Sequence, residues 1–241
     1  GRLPDIYAIL NGIRTLFKIS LPLKGKKVLV TAGPTREPID PVRYISNRSS
    51  GKMGYAIAKK ARDMGAEVIL ISGPVNLEPI SNVILKSIES ALEMKKEVDC
   101  WAKKMDYIFM VAAVADYYPK NISDKKLKRK DKVLKLDLSP CPDIIQSIAK
   151  GTNAISTAFA LETHNGESEA IRKLKNKYVD FIVLNYANEK GAGFDSSTNR
   201  VSIFNKNGET FNIEKDKKER VAEKIISYIL SNCKVNKILN T

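Results

Sequence analysis

The sequence predicts an α/β fold, a mostly parallel sheet flanked by helices with a small β-hairpin extension. Three observations predict it. Short apolar runs rich in Val and Ile alternate with stretches of helical period, the pattern of strands buried on both faces. These runs stop at small or polar residues, where the loops of such sheets meet ligands. With 241 residues the chain suits one large domain with an ample core and is short for two.

The elements follow in order. Ile6, Ile9, Leu10, Ile13, Leu16 and Phe17 recur at helical spacing, an amphipathic leader that Leu21-Pro22-Leu23-Lys24-Gly25 breaks. Residues 27–31 read as the first strand, and Thr31-Ala32-Gly33-Pro34-Thr35 ends it with side chains small enough for a ligand to reach backbone. Ser49, Ser50, Gly51 and Gly54 then open a helix whose first turns offer unpaired N–H groups and the positive end of the dipole. Arg43, Asn47, Ser49 and Lys52, between strand and helix, are expected to reach one anionic site. Strands are expected over 67–72, 83–87 and 107–112, with a helix over 88–105. Later come a helix over 143–150, a strand over 154–160, a helix over 167–177 and a strand over 181–184. Residues 200–205 and 209–213 form a hairpin turning at Lys206-Asn207-Gly208, where Asn-Gly supplies positive φ, and a helix over 217–230 covers the sheet. Parallel order with right-handed crossovers puts the ligand loops at the carboxyl ends of the strands, a Rossmann-like arrangement.

Composition narrows the function. Forty-one Lys and Arg against 27 Asp and Glu leave a net charge of +14, which favours anionic partners, either phosphorylated small molecules or nucleic acid. No nucleic-acid module signature is present. Cys100, Cys141 and Cys233 are odd in number and far apart, which fits a reducing compartment, and with His164 the single histidine a zinc site is not expected. No run approaches the roughly 20 apolar residues that span a bilayer, and no secretory pattern opens the chain. A cytoplasmic location with no membrane partner is expected.

Several segments carry chemistry. Residues 110–116, MVAAVAD, read as an apolar strand that stops at a carboxylate, with Met110 and Val111 in the strand, Ala112 and Ala113 leaving room for a flat ligand, and Asp116 able to ligate Mg²⁺ on a triphosphate. Lys125-Lys126-Leu127-Lys128-Arg129-Lys130 puts five cations in six positions, a mobile flap or a solvated run. Lys173 and Lys177 stand four apart on one helical face, where two ammonium groups repel and an anion would relieve them. The strand-loop-helix at 28–65 would also cradle the pyrophosphate of NAD(P), but neither G-x-G-x-x-G nor a P-loop ending is present. On the residues alone, a nucleotide-using enzyme, an oxidoreductase and a nucleic-acid-binding protein stay open.

TAGPT at 31–35 and SNRSSGKMG at 46–54 resemble phosphopantothenate-cysteine ligase, bacterial in type, and four more segments in the same order extend the likeness over about residues 26–229. AAVAD at 112–116 is similar to its nucleotide-contacting segment, KLKR at 126–129 to its K-I-K-K, PDII at 142–145 to its N-P-D-I-[VL], and AFALET at 158–163 to its G-F-A-A-E-T. The resemblance implies an enzyme joining 4'-phosphopantothenate and L-cysteine through an acyl-cytidylate, with CTP and Mg²⁺. It implies that Asn47, Arg43 and Lys126 are catalytic and that Asp116 is the metal ligand. Nucleotide contacts are implied at Gly33, Ser49, Gly51, Gly54, Met110, Val111, Ala112, Asp116, Lys126, Pro142, Asp143, Ile144, Ile145, Phe159, Lys173, Lys177 and Asn185. Asn47, Arg43, Ala112 and Ala113 are the implied substrate contacts. Cys141 stands where the family has Asn, so a contact through that amide is not carried over to this chain. The resemblance further implies a homodimer with Arg43 serving the neighbour's site. It also implies that residues 1–24 link from a fused decarboxylase that holds FMN, with the ligase over 25–232 and a tail over 233–241.

Overall fold

The computed structural model describes residues 5–16, 21–129, 133–149, 151–162, 166–186 and 196–238. Eight strands form one sheet. In chain order the elements are α1 (Ile6–Leu16), β1 (Lys27–Ala32), the hairpin β2 (Arg36–Pro38) and β3 (Tyr44–Ser46), α2 (Lys52–Asp63), β4 (Glu67–Ser72), β5 (Ile84–Ser87), α3 (Ala91–Trp101) with a 3₁₀ turn, and β6 (Tyr107–Met110). Then come the hairpin β7 (Tyr117–Pro119) and β8 (Leu138–Pro140), α4 (Ile144–Ala149), β9 (Ile155–Glu162), α5 (Gly166–Lys177), β10 (Phe181–Tyr186), β11 (Thr198–Asn205), β12 (Thr210–Lys217) and α6 (Lys218–Ile238). Spatial order is β12-β11-β10-β9-β6-β1-β4-β5, parallel from β5 to β10 and antiparallel at β11 and β12.

The core explains the two layers. Val28, Val30 and Ala32 of β1 pack with α2 and α6 on one face, while Leu29 packs with Met94, Val98 and Ile148 of α3 and α4 on the other. Alternation of this kind, with both classes apolar, marks a strand covered on both sides. Ala158, Ala160, Ile182 and Leu184 carry the second face on toward α5 through Ala170 and Leu174. The chain leaves β1 toward one edge of the sheet and returns at β6 toward the other, so the strand order reverses between these two strands. Loops diverge there and leave a crevice at the carboxyl ends.

Several boundaries differ from the sequence reading for local reasons. The helix expected over 88–105 begins at Ala91, because the Ser90 hydroxyl accepts from the Glu93 N–H at 3.2 Å and so caps it. β6 ends at Met110 rather than running to Asp116, because the N–H groups of Val111 and Ala112 donate to the Thr31 hydroxyl at 3.0 and 3.1 Å. These bonds turn the chain across the end of β1. The β11–β12 turn has positive φ at Gly208 only, at 84°, and the Gly208 N–H donates to the Asn205 carbonyl at 3.1 Å. The leader helix forms, with Ile6, Ile9, Leu10, Ile13 and Leu16 exposed; Phe17 lies outside the described residues. No described helix is long and apolar enough to cross a membrane, and none of the three cysteines forms a disulfide among the described residues.

Candidate active site

A cavity of about 700 Å³ opens at the crevice where the strand order reverses. One wall comes from the loop before α2 and from the segment after β6. The other comes from α4, α5 and the ends of β9 and β10.

The first wall is built from backbone. Thr31, fully buried, holds Val111 and Ala112 through its hydroxyl, and the Thr35 hydroxyl accepts from the Ala115 N–H at 3.0 Å. The Ala113 N–H donates to the Gly33 carbonyl at 2.9 Å, so residues 111–115 lie laced along 31–35. Asn47 joins the two loops as well, its amide donating to the Val114 carbonyl at 2.8 Å. Gly51 caps α2 in the left-handed region, φ 74°, which an L side chain adopts at a cost. A Cβ on Gly54 would stand 2.6 Å from the Ala32 methyl and 2.9 Å from the Thr31 carbonyl oxygen, so glycine here lets α2 lie directly on β1.

The second wall is built from side chains. Lys173 pairs with Glu162 at 2.5 Å, and Lys177 pairs with Asp143 at 3.4 Å. The repulsion expected between the two lysines is therefore already offset by carboxylates from β9 and from the start of α4. Asp143 also accepts from the Gln146 N–H at 3.1 Å, which caps α4. Phe159, Pro142, Ile144 and Ile145 supply apolar surface between these charges.

The structure brings Asn47, Ser49, Gly51, Gly54, Met110, Val111, Ala112, Ala113, Asp116, Pro142, Asp143, Ile144, Ile145, Phe159, Lys173, Lys177 and Asn185 onto one cavity. It does not bring Gly33, Arg43 or Lys126 onto that lining. Gly33 lies behind it, against Val75 and Gly73. Arg43 pairs with the buried Asp40 at 2.9 Å and donates to the Leu127 carbonyl, so it does not share one anionic site with Asn47, Ser49 and Lys52. Lys126 is exposed beside Leu127, whose N–H donates to Asp40 at 3.0 Å, and Lys130 lies outside the described residues. Burial raises the Asp40 carboxyl. The N–H groups of Leu127, Val42 and Arg43 and the Arg43 charge outweigh it, and the net pKa is lowered. Burial, then the charges of Glu37 and Asp116, push the Cys141 thiol up to about 11, so it stays a neutral thiol near pH 7. Lys52 lines the cavity with Asn47 and Ser49, and Arg48, Asn199 and Lys218 line it beyond the residues singled out above. Asn199 and Lys218 arrive from β11 and α6 with no local motif to announce them.

Residues 23–233 match the family described as DNA/pantothenate metabolism flavoprotein C-terminal domain. The chain belongs to this family. The coenzyme A biosynthesis bifunctional protein CoaBC of Bacillus subtilis is 45% identical over 191 residues, 78% of this chain and 47% of that protein. A cysteine/cysteine sulfinic acid decarboxylase from an unknown prokaryotic organism is 45% identical over 240 residues, 96% of this chain and 66% of that protein. The chain thus spans about half to two thirds of these relatives. A crystal structure of the C-terminal domain of CoaBC aligns with a TM-score of 0.77 at 38% identity, over 89% of this chain and 99% of that one. A Cab2 variant solved with phosphopantothenate-cysteine aligns with a TM-score of 0.70 over 98% of this chain and 97% of that one; at 15% identity it shares the fold alone.

Proposed function

We propose that this member of the DNA/pantothenate metabolism flavoprotein family acts in coenzyme A biosynthesis. In this reading it joins 4'-phosphopantothenate to L-cysteine, consuming CTP and releasing CMP and pyrophosphate. One observation carries the reading: a single cavity, large enough for a nucleotide and a second substrate, combines a helix N-terminus and backbone on one side with Lys173 and Lys177 on the other. The motifs at 31–35 and 46–54 and the coenzyme A role named for the CoaBC relatives support it.

A carboxylate is a poor acyl donor because it would have to expel oxide. In the first step its oxygen attacks the α-phosphorus of CTP, forming a P–O bond as the α–β bridging bond breaks and pyrophosphate leaves. In the second the cysteine amine forms the C–N bond, the acyl–oxygen bond to CMP breaks and the amine proton passes to solvent. Lys173 and Lys177 offset phosphate charge, the small Ala112 and Ala113 admit the flat parts of the ligands, and the tethered Asn47 amide hydrogen-bonds the acyl intermediate. Arg43 serves the second step in the neighbouring copy of a homodimer, and Lys126 acts when the segment carrying it closes over the phosphates.

Magnesium fits the donors present. Asp116 is one exposed carboxylate on the cavity rim, and among the described residues no group of three His, Cys, Asp or Glu gathers to cage an ion. An ion completed by phosphates and water asks for no more, and when bound it screens the phosphate charge. FMN belongs to a fused decarboxylase, outside this chain, and the protein works in the cytoplasm.

The test is incubation with 4'-phosphopantothenate, L-cysteine, Mg²⁺ and either CTP or ATP, followed by mass spectrometry. Phosphopantothenoylcysteine with CMP is the expected result. Product with ATP alone would overturn the cytidine assignment, and no product from folded protein with either nucleotide would overturn the ligase.

A further inference from the structure

The two cavity lysines are held by carboxylates placed differently. Asp143, the partner of Lys177, itself lines the cavity, so an anion arriving there meets that carboxylate in the same space. Glu162, the partner of Lys173, does not line the cavity. It is the last residue of β9, held in register with Tyr186 of β10, and its side chain is only 19% exposed. We propose that Glu162 is a positioning residue: from behind the wall it fixes the Lys173 ammonium toward the phosphates of the nucleotide without competing for their space. This rests on the ligase reading above.

The chemistry allows both contacts at once. An ammonium group has three N–H donors, and a carboxylate behind it occupies one direction while the others stay open toward the cavity. A lysine otherwise spends rotamer entropy to reach one geometry, and a fixed partner on a sheet strand removes part of that cost before the ligand arrives. Glu162 also offsets part of the positive charge that attracts phosphate. Orientation and attraction therefore oppose one another in binding, whereas only orientation acts on the reacting geometry.

Glu162→Gln keeps size and shape and removes the charge, so the signature is a split between kcat and KM. The expected result is a kcat about tenfold lower with the nucleotide KM within about threefold of wild type. In a Lys173→Ala background the same substitution should change neither, because no ammonium is left to orient. Glu162→Asp, which keeps the charge, should recover part of the loss. An equal fall in kcat in both backgrounds, with a lowered melting temperature, would reveal a merely structural role and overturn the proposal. No effect of Glu162→Gln on wild type would overturn it as well. Failure of wild type to form product with either nucleotide is a separate outcome, which overturns the ligase reading and this inference with it.

Discussion

The wall of the cavity that carries Thr31, Gly51 and residues 111–115 is fixed by backbone N–H groups that donate to the buried hydroxyls of Thr31 and Thr35, while the wall that carries Lys173, Lys177 and Asp143 is fixed by partly exposed ion pairs. Each bond of the first kind contributes about 1 kcal/mol, and losing its acceptor costs more because an N–H is left without a partner. Pairs of the second kind contribute about 0.2–1 kcal/mol each, and the Lys177–Asp143 pair, which faces the cavity, exchanges readily with a competing anion. One wall is a template and the other adjusts to the ligand. Substitutions in the first should register mainly in stability, those in the second mainly in kinetics.

The largest effect is expected behind the backbone wall, at Gly73. A Cβ there would stand 1.8 Å from the Pro34 carbonyl oxygen, well inside contact distance and against backbone that β1 holds in place. Gly73→Ala should cost at least about 3 kcal/mol in urea denaturation. A midpoint equal to wild type would mean that the 31–35 loop yields easily and is no template. Next comes Thr31→Val, which keeps the shape but strands the N–H groups of Val111 and Ala112. A loss of about 2 kcal/mol is expected, together with a raised nucleotide KM, because the segment they belong to lines the cavity.

Acid should act on the segment that carries Lys126. Asp40 holds Leu127 and Arg43, and its folded pKa lies below the usual 3.8. A depressed carboxyl stabilises the fold above its unfolded pKa and loses that contribution as pH falls through the lower folded value. Hydrogen exchange over residues 123–129 should therefore be steady from neutral pH down to about 4 and accelerate beyond the intrinsic rate only below it. Acceleration already near pH 6 would place the anchor elsewhere.

How much of this was legible in the sequence follows the same division. The strand-loop-helix of the template was readable because its signals are local: three apolar residues, then small ones, then a helix start at Gly51. The parallel order of the central strands was readable from alternation with helices. The hairpins β2–β3 and β7–β8 were not, since each strand has three residues and no period to detect. The early end of β6 was also hidden, because it depends on a hydroxyl 80 residues upstream. In the adjustable wall the lysines were readable from their spacing on one helix, but their carboxylate partners come from β9 and α4, and spacing within α5 says nothing of either.

A smaller effect tests whether buried threonines matter for their bonds or for their bulk. Thr157 in β9 is as buried as Thr31, but its hydroxyl has no partner among the described residues. Thr157→Val removes an unsatisfied polar atom, so it should leave stability unchanged or raise it by up to about 1 kcal/mol. A loss as large as that of Thr31→Val would show that bulk at the sheet centre, rather than the bonds to Val111 and Ala112, explains the Thr31 result.

Asp143→Asn gives the smallest change and the most direct reading of the adjustable wall. Asparagine caps a helix about as well as aspartate, so α4 should keep its bond from the Gln146 N–H, and loss of the ion pair should lower the melting temperature by no more than about 3 °C. What disappears is the negative charge that faces Lys177 within the cavity. The carboxylate holds the lysine until an anion replaces it, so its removal leaves the cavity more positive. The nucleotide KM should then fall, by about threefold at low salt and less at high salt, because a half-exposed charge is screened. A raised KM would mean that the carboxylate contacts the nucleotide itself. In that case the second wall would be a template at Lys177 as well as at Lys173, where Glu162 already fixes the ammonium from outside the cavity, and the contrast between the walls would fall.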